Sequence, residues 1–292
     1  MNRLFEPARI GSLELGNRLM RSATAECMAY ADGRPRPELL ELYRELAGGG
    51  VGLIVTGHMY VHPTGKAHPE MTGIHKDELI PDLAALAATV HEAGGRIAAQ
   101  LNHGGLQSSR QTVSEAIAPS AIDSPLLRRP ARAMTEDEIS TAIDAYARAA
   151  GRAQEAGFDA VQIHGAHGYL ISQFLSPFTN RREDRWGGAS GGTPAPLNGR
   201  LRFLRAVCEA TRERVGPDFP VFIKLGMMDG IDGGLTPEGG ADIVAALGDM
   251  GLDALEISGG LSGEASLNIQ GSIRSREDEA YFRPLARKAR AR

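Results

Sequence analysis

The sequence predicts a parallel α/β fold and, within that class, a (β/α)8 or TIM barrel. Short apolar runs alternate with longer amphipathic stretches through most of the 292 residues, which is the pattern of βαβ units. Unusual polar residues follow the apolar runs, and barrels carry their sites at the carboxyl ends of strands. The G-x-G-x-x-G pattern of dinucleotide-binding open sheets does not occur, and no Walker A sequence is present.

The first predicted elements are a hairpin and the first βα units. Gly11 separates two short segments that predict an N-terminal hairpin. GVGLIVTG is an apolar strand bounded by glycines, and the stretch that follows it has strong helical periodicity. In chain order these elements are the hairpin strands Phe5–Ile10 and Ser12–Leu15, strand Arg18–Ala23, helix Pro37–Ala47, strand Gly50–Gly57 and helix Leu79–Ala93.

The remaining predicted elements repeat the same alternation. Thr135 and Glu138 form a capping-box pattern at the start of one helix. Gly94, Gly157 and Gly251 each stand between a helix and the next apolar strand, where glycine supplies the left-handed conformation that ends a helix. The elements are strand Arg96–Leu101, helix Thr135–Ala156, strand Phe158–Ile163, helix Gly199–Val215, strand Val221–Leu225, helix Pro237–Met250, strand Ala254–Ile257 and a last helix from Arg276.

The six predicted strands that follow the hairpin leave two architectures open, a doubly wound open sheet and a barrel. The placement of polar residues after strands favours the barrel. Residues 104–134 and 187–197 form long connections rich in Ser, Pro, Arg or Gly, and loops of this length are usually functional. We expect a single domain over residues 1–292, with residues 104–134 as a capping insertion over the barrel mouth.

Composition excludes several classes of function. The formal net charge of −4 gives no electrostatic argument for nucleic acid or an anionic membrane as a partner. The two cysteines, Cys27 and Cys208, cannot form a disulfide framework or a four-thiolate metal site. The N-terminus has no apolar signal region, and no run approaches 18 apolar residues. These observations predict a soluble cytoplasmic protein.

The densest polar cluster is HGAHGY, directly after the strand DAVQI. His164 and His167 are three residues apart, so both can donate hydrogen bonds to one oxygen if a helix begins there. Tyr169 has a reference pKa of about 10, so it suits proton donation. The structural alternative is that one histidine caps the strand and Tyr169 packs in the interior. A metal site joined by His103, or by His58 and His62, is a further alternative.

Two polar residues end strands elsewhere in the chain. Gln100 ends AAQ and presents both a donor and an acceptor, which suits a ligand edge bearing N–H and C=O groups. Lys224 ends FIK and supplies one positive charge, which is useful beside a cofactor position that becomes anionic on reduction. Either side chain could instead be a satisfied polar group of the barrel interior.

The chain resembles the Old Yellow Enzyme family of FMN-dependent NAD(P)H oxidoreductases and ene reductases. The resemblance extends over residues 3–290 and is most specific in the segment that contains the two histidines. It is carried by LFEPARIGSLELGNRLMRSATAE, VGLIVTG, AAQLNHGG, HGAHGYLISQFLSPFTNRREDRWGG and the lysine of FIKLG.

The resemblance implies an FMN-binding barrel and assigns roles to residues. Ser22, Ala23 and Thr24 match the segment under the isoalloxazine, and Gly57, Gln100 and Lys224 match further flavin contacts. His164 and His167 match the pair that binds the substrate carbonyl, and Tyr169 matches the proton donor. No residue matches a metal ligand.

The implied reaction is reduction of the activated C=C bond of an α,β-unsaturated carbonyl compound, with NADH or NADPH as hydride donor. The partner is a small enone-like molecule, and a homo-oligomer is compatible with the sequence. The family pattern continues for two βα units beyond the sixth, so a truncated chain is expected. That expectation leaves two alternatives: a catalytically impaired pseudoenzyme of the family and, from the histidine cluster, a metal-dependent hydrolase or lyase barrel.

Overall fold

The computed structural model describes residues 3–124, 129–261, 267 and 273–292. Its centre is a parallel sheet with the order β11-β10-β9-β6-β4-β3, to which β5 adds by pairing with β6. The strands are β1 Ala8–Ile10, β2 Leu13–Leu15, β3 Met20–Arg21, β4 Leu53–Val55, β5 Met59–Tyr60, β6 Ile97–Asn102, β7 Ile117–Ala118, β8 Arg132–Ala133, β9 Ala160–Gly165, β10 Val221–Gly226 and β11 Ala254–Ser258.

Helices connect the strands of this sheet. Helices α3 and α5 pack on each other and, with α1 and α2, on the outer face of the sheet. The helices are α1 Pro37–Gly48, α2 Ile80–Glu92, α3 Glu136–Glu155, α4 Leu170–Leu175, α5 Leu197–Val215, α6 Pro237–Leu247 and α7 Arg283–Arg290. Within the described residues, none of them has the length and apolar character that a membrane span requires.

The sheet is curled into a partial barrel. Its two edge strands in the described residues are β3 and β11, yet the Ser22 hydroxyl after β3 lies 2.7 Å from the Glu256 carboxylate on β11. A flat sheet of this width would hold its edges far apart, because neighbouring strands are about 4.8 Å apart. The predicted barrel class is therefore confirmed, with six of its eight strands formed by described residues.

Strand alternation separates two apolar cores. Outward-facing residues of the strands join the helices in the large core, which includes Ile54, Ile97 and Ile223. Inward-facing residues near the amino ends of the strands form a smaller core with the β1–β2 hairpin, which plugs that end of the barrel. The buried members of the inner core are Leu13, Leu15, Leu53, Val55, Ala98, Ala160 and Phe222.

Several predicted features are confirmed in detail. Thr135 accepts a hydrogen bond from the Glu138 amide, and the Glu138 side chain accepts one from the Thr135 amide, which is a complete capping box. Gly94, Gly157 and Gly251 have φ of 82°, 83° and 67°. Each therefore adopts the left-handed conformation that ends its helix before the next strand.

The main differences from the predicted elements are two boundaries and a missed helix. The last helix begins at Arg283, not Arg276, because Pro284 lacks an amide hydrogen and is tolerated only in a first helical turn. The predicted strand Arg18–Ala23 pairs only over Met20–Arg21. Helix α4 was missed because all six of its residues are buried, so it has no polar face and no amphipathic period.

The long connection after β6 carries a small sheet. Strands β7 and β8 pair in parallel, and Ala118 packs with Leu106, Ile122 and Leu261 in a separate apolar cluster. Residues 125–128 of the predicted capping insertion lie outside the described residues, and its role as a cap stays a prediction.

Candidate active site

A polar layer crosses the barrel interior above the inner apolar core. Gln100 Nε2 donates to Gln162 Oε1 at 2.6 Å, and Gln162 Nε2 donates to Glu256 Oε2 at 2.7 Å. The Ser22 hydroxyl donates to Glu256 Oε1 at 2.7 Å and accepts from Lys224 Nζ at 2.7 Å. The layer thus joins β6, β9, β10 and β11 to the segment after β3 through one continuous chain of hydrogen bonds.

The charged members of this layer form a buried ion pair. Lys224 Nζ lies 3.2 Å from Glu256 Oε1, and the two side chains are 4% and 16% exposed. Burial lowers the pKa of Lys224 below its usual value, and the Glu256 carboxylate opposes that shift. The layer therefore combines a cation, a carboxylate and two amides in a site with little solvent.

Sequence reasoning found Ser22, Gln100 and Lys224 but missed Gln162 and Glu256. The signal was available, because side chains two apart on a strand share a face. Gln162 lies two positions after the inward-facing Ala160 in β9, and Glu256 lies two positions after the inward-facing Ala254 in β11. A polar residue at that position of a buried strand therefore points into the barrel.

The two predicted histidines lie at the carboxyl end of β9, above the polar layer. His164 Nδ1 accepts a hydrogen bond from the Ala166 amide at 3.3 Å, so the proton of the neutral ring is on Nε2. His167 Nε2 lies 2.6 Å from the Ser258 hydroxyl. The ring centroids of the two histidines are 5.1 Å apart, close enough for both rings to face one small group.

Both imidazoles are neutral near pH 7. Burial lowers the pKa of His164 well below its usual value, and the neighbouring His167 lowers it further because two protonated rings would repel each other. Burial, followed by Lys224, lowers the pKa of His167 to about 3. His167 also has a φ of 60°, a strained conformation for a residue with a side chain, and such strain is concentrated at functional sites.

Tyr169 lies beside the histidines at the start of α4. Its ring centroid is 4.9 Å from that of His164 and 5.0 Å from that of His58. The ring also packs against a cluster containing Tyr60 and Met71. The structure therefore brings His164, His167 and Tyr169 together, and part of the Tyr169 ring has the packing role of the structural alternative.

His58 and Asn102 belong to the same cluster but were not singled out as a pair from the sequence. His58 Nδ1 lies 2.8 Å from Asn102 Nδ2. Two buried atoms of this pair, His58 Nε2 and Asn102 Oδ1, have no hydrogen-bond partner among the described residues. Buried polar atoms normally have partners, so a polar ligand at this position would complete the pair.

A buried carboxylate holds the two predicted flavin-contact segments together. Glu26 Oε1 lies 2.7 Å from the Arg21 guanidinium, accepts from the Tyr43 hydroxyl at 2.7 Å and accepts from the Gly57 amide at 3.3 Å. Arg21 and Glu26 flank the predicted contacts Ser22, Ala23 and Thr24. Because Glu26 also accepts from the Gly57 amide, these contacts hold the segment against the end of β4.

The backbone at Gly57 leaves no space for a side chain. A Cβ there would lie 1.9 Å from Glu26 Oε2 and 2.6 Å from the Thr24 carbonyl oxygen. Gly57→Ala is therefore expected to lower the free energy of unfolding by about 1–3 kcal/mol, the usual cost of overpacking. Urea unfolding measures this loss.

The control for that prediction is Gly48→Ala. Gly48 ends α1, and a Cβ there would meet nothing within 4 Å. Its free energy of unfolding should be unchanged or higher, since alanine favours helix more than glycine. Equal stability of Gly57→Ala and the wild type would contradict the close packing of Glu26 on Gly57.

Two of the histidines considered for a metal site lie apart from His164 and His167. His103 Nε2 lies 3.0 Å from the Thr64 hydroxyl, and that hydroxyl lies 2.8 Å from His62 Nδ1. Among the described residues, no three His, Cys, Asp or Glu side chains are grouped as metal ligands. His103 and His62 thus tie the loop after β5 to the end of β6.

Buried neutral histidines make stability depend on pH. Burial lowers the pKa of His58, His103 and His167 to about 3 each, whereas the unfolded value is about 6.5. The unfolded state therefore binds more protons between pH 6.5 and pH 3, and stability rises with pH in that window. Stability is fully present above pH 6.5 and falls by up to about 1.4 kcal/mol per pH unit and histidine below it.

Urea unfolding at pH 7.5, 6 and 5 checks this dependence. His103→Gln removes one of the titrating groups outside the cluster and should reduce the slope. Equal unfolding free energies at the three pH values would contradict neutral buried histidines.

Comparisons with known proteins identify the family to which the chain belongs. Residues 3–262 match the model of the NADH:flavin oxidoreductase / NADH oxidase family. The chain is 39% identical over 262 residues to a metal reductase of Desulforamulus reducens, covering 89% of this chain and 38% of that protein. It is 36% identical over 269 residues to an NADPH dehydrogenase of Geobacillus sp., covering 91% and 75%.

A solved structure gives the same result at the level of the fold. The old yellow enzyme homologue from Zymomonas mobilis superposes with a TM-score of 0.80 at 29% identity, covering 92% of this chain and 77% of that one. The chain thus spans about two fifths of the metal reductase and about three quarters of the other two proteins.

Proposed function

The chain belongs to the NADH:flavin oxidoreductase / NADH oxidase family, the Old Yellow Enzyme family, and on that basis we propose that it reduces activated C=C bonds. Members of the family bind FMN and use NADH or NADPH. The proposed substrates are α,β-unsaturated carbonyl compounds. The observation that carries the proposal is the cluster of two neutral imidazoles and a phenol above a polar layer that holds one lysine.

The chemistry of the polar layer fits an isoalloxazine. Its pyrimidine part presents N–H and C=O groups, which the Gln100 amide can match with one donor and one acceptor. Lys224 would supply a cation, and Ser22, Ala23 and Thr24 would supply backbone contacts to the bound ring. Gly57 lies where any side chain would collide with Glu26 and Thr24. When bound, FMN supplies the hydride chemistry, taking two electrons from NAD(P)H and delivering them to the alkene.

The histidines act on the substrate carbonyl. His164 Nε2 carries the proton of a neutral ring, because its Nδ1 is occupied by the Ala166 amide. His167 contributes a second donor, Nδ1–H, in the tautomer in which its Nε2 accepts from the Ser258 hydroxyl. Two hydrogen bonds to the carbonyl oxygen withdraw electron density from the conjugated alkene and stabilise the negative charge that develops on oxygen. Burial strengthens both bonds because water does not compete.

Tyr169 provides the proton that completes the reduction. The centroid of its ring lies 4.9 Å from that of His164, which places the phenol in the same cluster as the carbonyl donors. A phenol remains protonated near neutral pH and can protonate the α-carbon as the β-carbon receives hydride. Packing against Tyr60 and Met71 fixes the ring, which limits the entropy lost on reaching the reactive geometry.

Anaerobic reduction and reoxidation test the proposal. The purified protein, incubated with FMN and desalted, is expected to retain a yellow flavin spectrum that NADPH or NADH bleaches. Addition of cyclohex-2-enone should restore the spectrum and yield one equivalent of cyclohexanone. Protein that retains no flavin, or a bleached sample that the enone does not reoxidise, would refute the proposed activity.

A further inference from the structure

Glu256 is the one carboxylate in the polar layer among the described residues, and neither the motifs nor the family resemblance assigned it a role. It contacts three members of the layer at once: Lys224 at 3.2 Å, Ser22 at 2.7 Å and Gln162 at 2.7 Å. Its side chain is 16% exposed. Both carboxylate oxygens are occupied, Oε1 by Ser22 and Lys224 and Oε2 by Gln162.

We propose that Glu256 is a positioning residue that neutralises Lys224 and thereby lowers the reduction potential of the bound flavin. The inference rests on the proposed FMN site. It concerns the net charge beside the cofactor. Neither the fold nor the histidine cluster determines that charge.

The physical argument begins with the charge balance of the layer. A lone buried lysine beside the cofactor would favour the reduced form, which carries more negative charge than the oxidised form. Glu256 cancels that charge at short range. Because both partners are largely removed from water, solvent screens their interaction only weakly. The net effect of the pair on the two redox states is therefore much smaller than the effect of Lys224 alone.

The hydrogen bonds give Glu256 a second, geometric effect. Lys224 Nζ donates to Ser22, and Ser22 donates to Glu256, so the three groups form a closed triangle. The carboxylate orients the Ser22 hydroxyl and draws the lysine ammonium toward the segment after β3. Gln162 on β9 and Gln100 on β6 continue the chain of hydrogen bonds from Glu256. Glu256 thus acts on the cofactor through Lys224 and Ser22.

The test is the midpoint potential of the FMN-loaded protein, measured by spectroelectrochemical titration. Glu256→Gln keeps the size and much of the hydrogen bonding but removes the charge. It should raise the potential by about 30 mV or more, which is a tenfold shift of a two-electron equilibrium toward the reduced form. Glu256→Asp keeps the charge and should restore most of the wild-type value.

Substitution of Lys224, the ion-pair partner of Glu256, should shift the midpoint potential in the opposite direction. Lys224→Gln should lower the potential, and the double variant Lys224→Gln/Glu256→Gln should return it close to the wild-type value. The sign reversal keeps the proposal testable if one single variant folds poorly. A merely structural role for Glu256 predicts no such reversal.

Asp253→Asn, directly before β11, is the matched control. Like Glu256, Asp253 forms an ion pair, in this case with Arg212 at 2.9 Å. Asp253 also accepts a hydrogen bond from the Val221 amide at 2.8 Å. Its loss should lower the unfolding temperature and leave the potential unchanged. A Glu256→Gln protein that binds FMN with the wild-type potential would overturn the role of Glu256 while the proposed function stands. A wild-type chain that binds no FMN would overturn both.

Discussion

Replacing His164 with alanine is expected to lower kcat/KM for enone reduction by about 100-fold or more, the usual cost of losing one preorganised donor. The donor is Nε2, because the Ala166 amide occupies Nδ1. The loss should raise KM as well as lower kcat, since the same hydrogen bond holds the carbonyl in the ground state. Steady-state kinetics with cyclohex-2-enone and NADPH measure both constants.

His91→Asn is the control for this variant. His91 lies on α2, where its ring contacts Asp159 at 2.8 Å, on the outer side of the barrel. Its kinetic constants should match those of the wild type. Unchanged kinetics in the His164→Ala protein would remove this residue from the carbonyl site.

Replacing Tyr169 with phenylalanine is expected to slow alkene reduction by about 100- to 10,000-fold, the range for a lost general acid. The ring would remain, so its packing against Tyr60 and Met71 is kept. Reduction of the bound flavin by NADPH needs no proton from Tyr169, so this half-reaction should keep its wild-type rate. Stopped-flow absorbance separates the two half-reactions.

Tyr30→Phe is the control for Tyr169→Phe, because it removes a phenol hydroxyl outside the histidine cluster. Tyr30 is 43% exposed, and its substitution should change neither half-reaction. If Tyr169→Phe slowed both half-reactions equally, the tyrosine would be needed for cofactor placement and not for proton transfer.

The fold could be predicted from the sequence because its signals are local. Glycines at 94, 157 and 251 end helices by their left-handed conformation, and the Thr135–Glu138 box begins a helix through side-chain hydrogen bonds to nearby amides. Helix α4 and the short β5, β7 and β8 could not be found in this way. Burial on all sides removes the period of α4, and strands of two residues are too short to show alternation.

The site was predictable where polar residues directly follow a strand. His164, His167 and Tyr169 stand together in the chain and in space. Spacing could have placed the Glu256 side chain inside the barrel, but it could not identify the partners of Glu256 and Glu26, because Ser22 and Tyr43 come from other elements. Pairing between distant elements depends on how the sheet curls, which no local pattern encodes.

The position of the transferred hydrogen tests the central claim most directly. Cyclohex-2-enone is reduced with NADPH carrying deuterium at the transferable C4 position, and the cyclohexanone is analysed by mass spectrometry and NMR. The proposed chemistry predicts one deuterium at C3, the former β-carbon, and solvent hydrogen at C2. Cyclohex-2-enol as product, deuterium at C1, or oxidation of NADPH with the enone recovered intact would contradict it.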